Sequence, residues 1–197
     1  PSFKGYRGFP ASICTSPNDV IVHGIPDDDA LEDGDIISLD VGVLLDGFHA
    51  DSAWTFPVGE VDPDASELLK VGQASLEAAV ARCRAGLRLG DVGHAVEQTA
   101  EAAGYSVVRE YVGHGVGRSL HEDPQIPNYG PPGRREVLGA GMTVAIEPMI
   151  NAGGAQTRVL GDGWTVVTAD GSLSAHFEHT VAVTAGEPDV LTLREPR

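Results

Sequence analysis

The sequence predicts an α+β domain, with helices segregated on one side of a mainly antiparallel sheet. Three observations carry that expectation. Strand-like apolar runs lie toward both ends of the chain, two helical segments lie between them, and Asp-Gly pairs at 46–47 and 170–171 separate apolar runs. The order strand–helix–helix–strand groups the two element types instead of alternating them, as α+β architectures do. Asp-Gly between apolar runs is the strongest short-range hairpin signal.

Residues 20–56 read as strand, punctuated by the Gly- and Pro-bearing stretch "HGIPDDDALEDGD". Residues 64–85 read as a helix, because Leu68, Leu69, Leu76, Ala79, Val80 and Cys83 follow the 3.6-residue period. Asp64 with Glu67 resembles a capping box at its start. A second helix is expected over 91–103, opened by Asp91 as N-cap and stopped at Gly104. A strand near 105–112 follows, then a Gly-rich loop and a strand block over 142–184. The two Asp-Gly turns form an internal echo. "LLDGFHADSAW" and "VVTADGSLSAHFEHTV" each place an acidic residue, Asp51 and Glu178, on the expected returning strand.

A chain of 197 residues that is 42% hydrophobic suits one domain of ordinary core size, expected over 1–197. Its first residue is Pro1, which suggests a trimmed piece of something longer. Lys and Arg number 13 against 29 Asp and Glu, a net charge of −16. Such a surface repels nucleic-acid phosphates and anionic membranes, so neither is an expected partner. Cys14 and Cys83 form no CxxC, which points to a reducing compartment and no disulfide framework. There is no signal-peptide pattern and no apolar run of about 18 residues.

Asp40 and Asp51 lie inside strand-like runs, where an ionised carboxylate is costly unless compensated. If Asp46-Gly47 is a type I′ turn, Leu45 pairs with Phe48, Gly42 with Asp51 and Asp40 with Ala53. Asp40 and Asp51 then share a face as diagonal neighbours, about 7–8 Å apart at Cα. Residues 36–56 contain no Lys or Arg, which leaves a shared proton, a basic group from elsewhere, or a metal. A shared-proton pair of the aspartic-protease kind wants two Asp-Thr/Ser-Gly copies, which the chain lacks. Metal is the better reading. Further ligand candidates sit in similar settings: His114 between glycines in "YVGHGVGRSLHEDP", with His121 seven residues on; Glu147 in "MTVAIEPMI"; and Glu178 in "SAHFEHTVAVT". Asp40, Asp51, Glu147 and Glu178 together carry four negative charges, which two divalent cations cancel. A carboxylate-rich set with one imidazole suits Mn, Fe, Co or Zn. Two such ions sharing a water and clamping a carbonyl provide the chemistry of amide hydrolysis.

The segments "HGIP", "LDVG…DGFHADSAWTF", "GHGVGRSLHEDPQIPNYG", "AIEPM", "GDGWTVVT" and "SAHFEHTVAVT", in that order, resemble type I methionine aminopeptidase from about residue 3 to 184. The resemblance implies the pita-bread α+β fold with internal pseudo-twofold symmetry, and an absent N-terminal extension. It implies that Asp40 chelates one metal, that Asp51 and Glu178 bridge two, and that His114 and Glu147 complete the other. A bridging water or hydroxide would then attack the bond after an N-terminal methionine, with Glu147 as proton carrier. His121 would contact the scissile carbonyl, and His23 the peptide beside it. The methionine pocket would be formed by Tyr6, Phe9, Cys14 and Trp164, with Phe3 and Leu120 at its edge. Phe3 stands where the family often has Cys, and Leu120 where Phe is usual. Asn18, Val20 and Ser174 match a monovalent-cation site. His49, His94, His176 and His179 read as surface or core residues.

The same resemblance implies a cytoplasmic monomer acting on peptides and nascent chains, with a small second residue preferred. A charge of −16 is an unfavourable start for docking on an RNA-rich ribosome. Proline-directed siblings on the same fold, aminopeptidase P and prolidase, share the five ligands. "HGIPDD", "FEHTVAVT" and the short chain favour the methionine branch. A binding module of this fold without catalysis is the alternative of a different class.

Overall fold

The first organised unit is the hairpin that the sequence specifies. Asp46 and Gly47 have φ of 50° and 83°, the two positive values of a type I′ turn. The flanking strands pair Leu45 with Phe48, Gly42 with Asp51 and Asp40 with Ala53, the expected register. The structure is a computed structural model and describes residues 1–193. The last four residues of the domain expected over 1–197 lie outside the described residues.

Strands β1 (Cys14–Pro17), β2 (Val20–Val22), β3 (Ile36–Leu45) and β4 (Phe48–Pro57) precede helices α1 (Pro63–Val80) and α2 (Leu89–Ala102). Then come β5 (Ser106–Val107), β6 (Gly113–Gly115), β7 (Glu122–Ile126), β8 (Thr143–Ile146) and β9 (Met149–Asn151). The chain continues through β10 (Thr157–Val159), β11 (Val166–Thr168), β12 (Ser174–His176), β13 (His179–Ala182) and β14 (Asp189–Val190). The strands form four small sheets, ordered β1-β3-β4, β10-β11-β2, β12-β9-β5 and β14-β13-β8-β6-β7. Their ladders are antiparallel. Leu68 and Leu76 of α1 and Val92 and Val96 of α2 share one core with Ile146, Ile150, Phe177 and Val181 of the strand region. No helix among the described residues is long and apolar enough to cross a membrane.

Two breaks in the ladders set up the site. On one side of the first break His176 pairs with Met149, and on the other His179 pairs with Ile146. The same register runs across the gap and sets Glu147 opposite Glu178. Strand β4 then runs antiparallel along this segment. The Asp51 N–H donates to Thr180 Oγ1 (2.9 Å), whose hydroxyl donates to the Asp51 carbonyl (2.7 Å). The Glu178 N–H donates to the Ala53 carbonyl at 2.8 Å, and Thr55 Oγ1 exchanges bonds of 2.8 and 2.9 Å with the backbone of His176. The hairpin and the second ribbon are thus joined edge to edge where both carry carboxylates.

Residues 23–35, the expected punctuation, form no strand, because Gly24, Pro26 and the acidic run interrupt the ladder. Several boundaries differ from the sequence expectation. Helix α1 ends at Val80, not 85, where Arg82 and Cys83 N–H groups close tight bonds on Ala79 and Val80. Its N-cap is Asp62 with Pro63 following, so the Asp64–Glu67 box does not form, and Glu67 pairs with Lys70 at 3.3 Å instead. Asp91 is not the N-cap of α2. It lies in the first turn and accepts the N–H groups of Arg88 (2.8 Å) and Gly133 (2.7 Å). Gly104, with φ of 87°, does stop the helix. The strand expected over 105–112 shrinks to Ser106–Val107. Asp170-Gly171 does not close a hairpin, since β11 and β12 belong to different sheets. The Asp170 carboxylate instead accepts the N–H groups of Gly154 and Ser172. Glu178 accordingly lies between β12 and β13, not on a returning hairpin strand.

Helix α2 is fitted closely to the 127–134 loop. A Cβ on Gly93 would lie 2.4 Å from the Pro127 carbonyl oxygen and 2.6 Å from that of Tyr129. Between them, Asn128 Nδ2 donates to the Glu147 carbonyl at 3.0 Å. An Ala normally stabilises a helix interior by about 1 kcal/mol over Gly, but backbone on two sides cannot yield. Gly93→Ala is expected to destabilise the protein by about 1–3 kcal/mol, read as a lower urea midpoint. An unchanged or raised midpoint refutes this close fit.

Candidate metal centre

The two joined ribbons open one wall of a cavity of about 160 Å³. Asp40, Asp51, His114, Glu147 and Glu178 line that wall, and all five were singled out from sequence. Phe3, Phe9, Cys14 and Leu120 form an apolar cluster with Trp164 packed against it, and the same residues line the cavity together with the acids. Tyr6, Arg7, His23 and His121 complete the lining.

Ligand atoms of Asp51, His114 and Glu178 lie within 4.8 Å of one another, and all three residues are buried. Glu147 adjoins them, with Oε1 at 3.5 Å from His114 Nε2. Asp40 hydrogen-bonds to Asp51 and to the Cys14 thiol, which sits opposite it in the β1–β3 ladder. Burial is the main cause that raises the pKa of Asp40, Glu147 and Glu178 well above the usual carboxylate range, and charges from neighbouring acids add to it. Burial also pushes Asp51 up to about 6, against hydrogen bonds from Asp40 and the Ser52 N–H. The Cys14 thiol is raised by burial and then by Asp40.

His114 supplies a test of what belongs here. Its Nδ1 lies 2.9 Å from the Gly115 carbonyl, and a carbonyl only accepts, so Nδ1 carries the proton and Nε2 presents a lone pair. Burial lowers its pKa, which keeps the ring neutral. A lone pair thus faces a carboxylate oxygen at 3.5 Å. Asp40 Oδ1 and Asp51 Oδ1 are buried with no hydrogen-bond partner among the described residues. Acceptors facing acceptors, with orphaned carboxylate oxygens beside them, fit a divalent cation between them.

At the mouth, the Tyr6 hydroxyl lies 2.9 Å from His121 Nδ1 and the two rings stack. Burial, then the neighbouring His114 and Arg7, lower His121 to about 4. His23, at φ of 60°, packs edge-on against Tyr111 and Trp164, and burial lowers its pKa. Asn18, Val20 and Ser174 gather where β2 meets β12, with the Ser174 N–H donating to the Asn18 carbonyl at 2.9 Å.

The sequence reading missed two residues. Arg7, at φ of 49°, places its guanidinium 5.4 Å from the Tyr6 ring at the mouth, and no periodicity signals it. His176, read as surface or core, is fully buried with Nε2 at 3.8 Å from Glu147 Oε2. Strand alternation signals it, since it stands two residues before Glu178 and shares its face.

A buried carboxylate–imidazole set where two antiparallel ribbons meet is the centre of a metal-dependent hydrolase. The sequence matches metallopeptidase family M24 over residues 3–185. It is 55% identical to a methionine aminopeptidase of Bacillus subtilis over 98% of this chain and 77% of that protein. A crystal structure of methionine aminopeptidase from Thermotoga maritima superposes with a TM-score of 0.97 at 50% identity, covering 98% of this chain and 78% of that one. A prolidase from Pyrococcus horikoshii shares the fold, at a TM-score of 0.73 and 22% identity over 94% of this chain and 48% of that one. The chain belongs to metallopeptidase family M24, with the pita-bread fold, and its high-identity relatives are methionine aminopeptidases.

The raised carboxylates give the metal-free protein a definite pH response. A carboxylate whose folded pKa exceeds its unfolded value binds more protons when folded, so its contribution is lost as pH rises through the folded pKa. Asp51→Asn is therefore expected to stabilise the chelator-treated protein relative to the parent, increasingly as pH rises from about 4 through about 6. The gain reaches on the order of 2–3 kcal/mol at neutral pH. Urea midpoints of the two proteins across that range check it. A variant less stable than the parent at pH 7 contradicts the electrostatics described here.

Proposed function

We propose that this chain removes the N-terminal methionine from peptides and nascent proteins, with a small second residue preferred, in a reducing, cytoplasmic setting. The observation that supports this reading most directly is one cavity lined both by four acids with His114 and by apolar, aromatic side chains. Asp40, Asp51, His114, Glu147 and Glu178 would hold two divalent ions drawn from Mn, Fe, Co and Zn, whose charge balances the four carboxylates. When bound, such ions acidify a water and polarise the scissile carbonyl.

The chain's own residues do the rest. Phe9, Trp164, Cys14, Phe3 and Leu120 enclose a thioether, which gains from sulfur–aromatic contact. Tyr6 O–H donates to His121 Nδ1, which fixes the tautomer with its proton on Nε2, aimed at the oxygen that gains charge. His23, kept neutral by burial, contacts the peptide beside the scissile bond. Glu147 carries the proton from the attacking water to the leaving amine. Asn18, Val20 and Ser174 would take a monovalent cation at the β2–β12 junction.

Methionine release from Met-Ala-Ser is expected to vanish on chelation and return on titration with Mn, Co or Fe. In Asp51→Asn it falls at least about 100-fold, beyond what loss of an outer-shell contact causes. Met-Leu-Ser is a poor substrate on this reading. A parent that binds metal yet cleaves only before proline shifts the assignment to the proline-directed siblings, and efficient cleavage of Met-Leu-Ser removes the small-residue preference.

Tyr6→Phe keeps the stacked ring and deletes only the tautomer-fixing donor. It is expected to lower kcat about 3–10-fold with KM little changed, the loss of about one neutral hydrogen bond. An unchanged kcat refutes the tautomer role.

A further inference from the structure

The two oxygens of Glu147 face two different histidines. Oε1 lies 3.5 Å from His114 Nε2, and Oε2 lies 3.8 Å from His176 Nε2. Only the first histidine belongs to the ligand set. His176 is 2% exposed, and its Nε2 is a buried nitrogen with no hydrogen-bond partner among the described residues. A buried polar atom without a partner is costly and rare in folded proteins, so its position calls for a physical reason.

Nothing in the backbone leaves the ring free to seek another partner. Thr55 Oγ1 bonds both the N–H and the carbonyl of His176, at 2.9 and 2.8 Å, and the residue pairs with Met149 in the β12–β9 ladder. The next residue, Phe177, fills the opposite face. Its ring lies where a Cβ on Gly72 of α1 would come within 2.6 Å, so the segment cannot rotate. The imidazole is thereby aimed at the face that carries Glu178 and Glu147.

We propose that His176 is a positioning residue for Glu147, donating Nε2–H to Oε2 and so leaving Oε1 to the metal centre. The 3.8 Å separation closes to the hydrogen-bond range of about 2.7–3.2 Å with a small turn of the Glu147 carboxylate. With Oε1 given to the metal centre and Oε2 to His176, the carboxylate plane would be held at both ends. The backbone of Glu147 is held as well, through Asn128 Nδ2 on its carbonyl at 3.0 Å. His176 lines no part of the cavity, and it acts only through Glu147, which it orients. Outer partners of this kind, when removed, typically cost 10–100-fold in metal affinity.

The inference rests on Glu147 being a ligand, as proposed above, and metal affinity separates the two ideas without turnover. Mn(II) titrations of the full chain by calorimetry would compare the parent with His176→Gln and His176→Leu. Gln keeps an N–H donor within reach, and Leu keeps bulk but has no donor. Urea midpoints of the three chelator-treated proteins are measured in parallel. The expected result is that Leu weakens one Mn(II) site about 10–100-fold and Gln stays within about threefold of the parent. The metal-free Leu variant remains as stable as the parent, since an orphan polar atom has been removed from the core. For Met-Ala-Ser, Leu lowers kcat in proportion to site occupancy and leaves KM near the parent value. Parent-like Mn(II) affinity in Leu overturns the proposal, and so does a Gln variant as weak as Leu, because donation would then not be the feature that matters. If the Leu variant fails to fold, Gln alone decides: parent-like affinity supports donation, and a loss of tenfold or more overturns it. A parent that binds Mn(II) but spares Met-Ala-Ser defeats the peptidase assignment and leaves the affinity comparison intact.

Discussion

Four carboxylates that repel one another are held together in a cavity whose lining, among the described residues, includes no Lys and one Arg, Arg7, and most of the architecture serves that constraint. The hairpin register makes Asp40 and Asp51 diagonal neighbours on one face. The break between β8 and β9, and the matching break between β12 and β13, set Glu147 against Glu178. Neither ribbon would hold its acids in that arrangement alone. They are fixed by what joins the ribbons: threonine hydroxyls and backbone amides of Asp51, Thr55, Glu178 and Thr180. These neutral groups bring no charge that could satisfy the acids. The chain fixes positions and leaves the neutralising to a cation, which is how a site keeps its affinity for metal while the metal-free protein bears the repulsion.

The apolar half of the cavity depends on the same hairpin. Gly42 stands opposite Asp51, and a Cβ there would come within 2.5 Å of the Phe3 ring. The N-terminal residues therefore lie flat on the hairpin, with the Ser2 N–H donating to the Gly42 carbonyl at 2.8 Å. Phe3 then meets Phe9 edge-on, and Phe9 meets Trp164 in the same way. One face of two paired strands carries the buried acid Asp51, and a step away it carries a bare glycine that admits aromatic side chains. Their proximity follows from strand spacing and needs no separate device.

This explains which features could be read in the sequence. Asp46-Gly47 fixes a turn, the turn fixes a register, and period two then puts Asp40 and Asp51 on one face. His114 stood out only jointly, as a Gly-flanked histidine in the company of four acids in strand-like apolar runs, and the structure brings it into the same cavity. Helix ends were less legible: Asp64 with Glu67 has the spacing of a capping box, but Pro63 starts the helix a residue earlier and Asp62 takes the cap position. Asp170-Gly171 has the same local chemistry as Asp46-Gly47, yet its carboxylate is spent on Gly154 and Ser172 and the following strand leaves for another sheet. Local sequence specifies a turn, and tertiary contacts decide which strands it connects. Glu147 and Glu178 could be recognised as acids out of place, but their pairing lies across a non-local break that no window of sequence contains.

A basic residue among the four acids would have relieved the repulsion at once, and the placing of Arg7 shows why none is there. A guanidinium is always charged and fills the space between two carboxylates with fixed donors, which would occupy the metal position permanently. Arg7 instead stays exposed at the mouth over Tyr6, where solvent screens it and its field reaches His121 as a modest push toward the neutral form. The histidines around the acids are likewise kept uncharged by burial, His176 down to about 3. Neutral imidazoles can donate or accept without competing for the cation's role. The site therefore separates three tasks that one arginine would have merged: carboxylates supply charge, imidazoles supply direction, and the charge balance is left to an exchangeable ion.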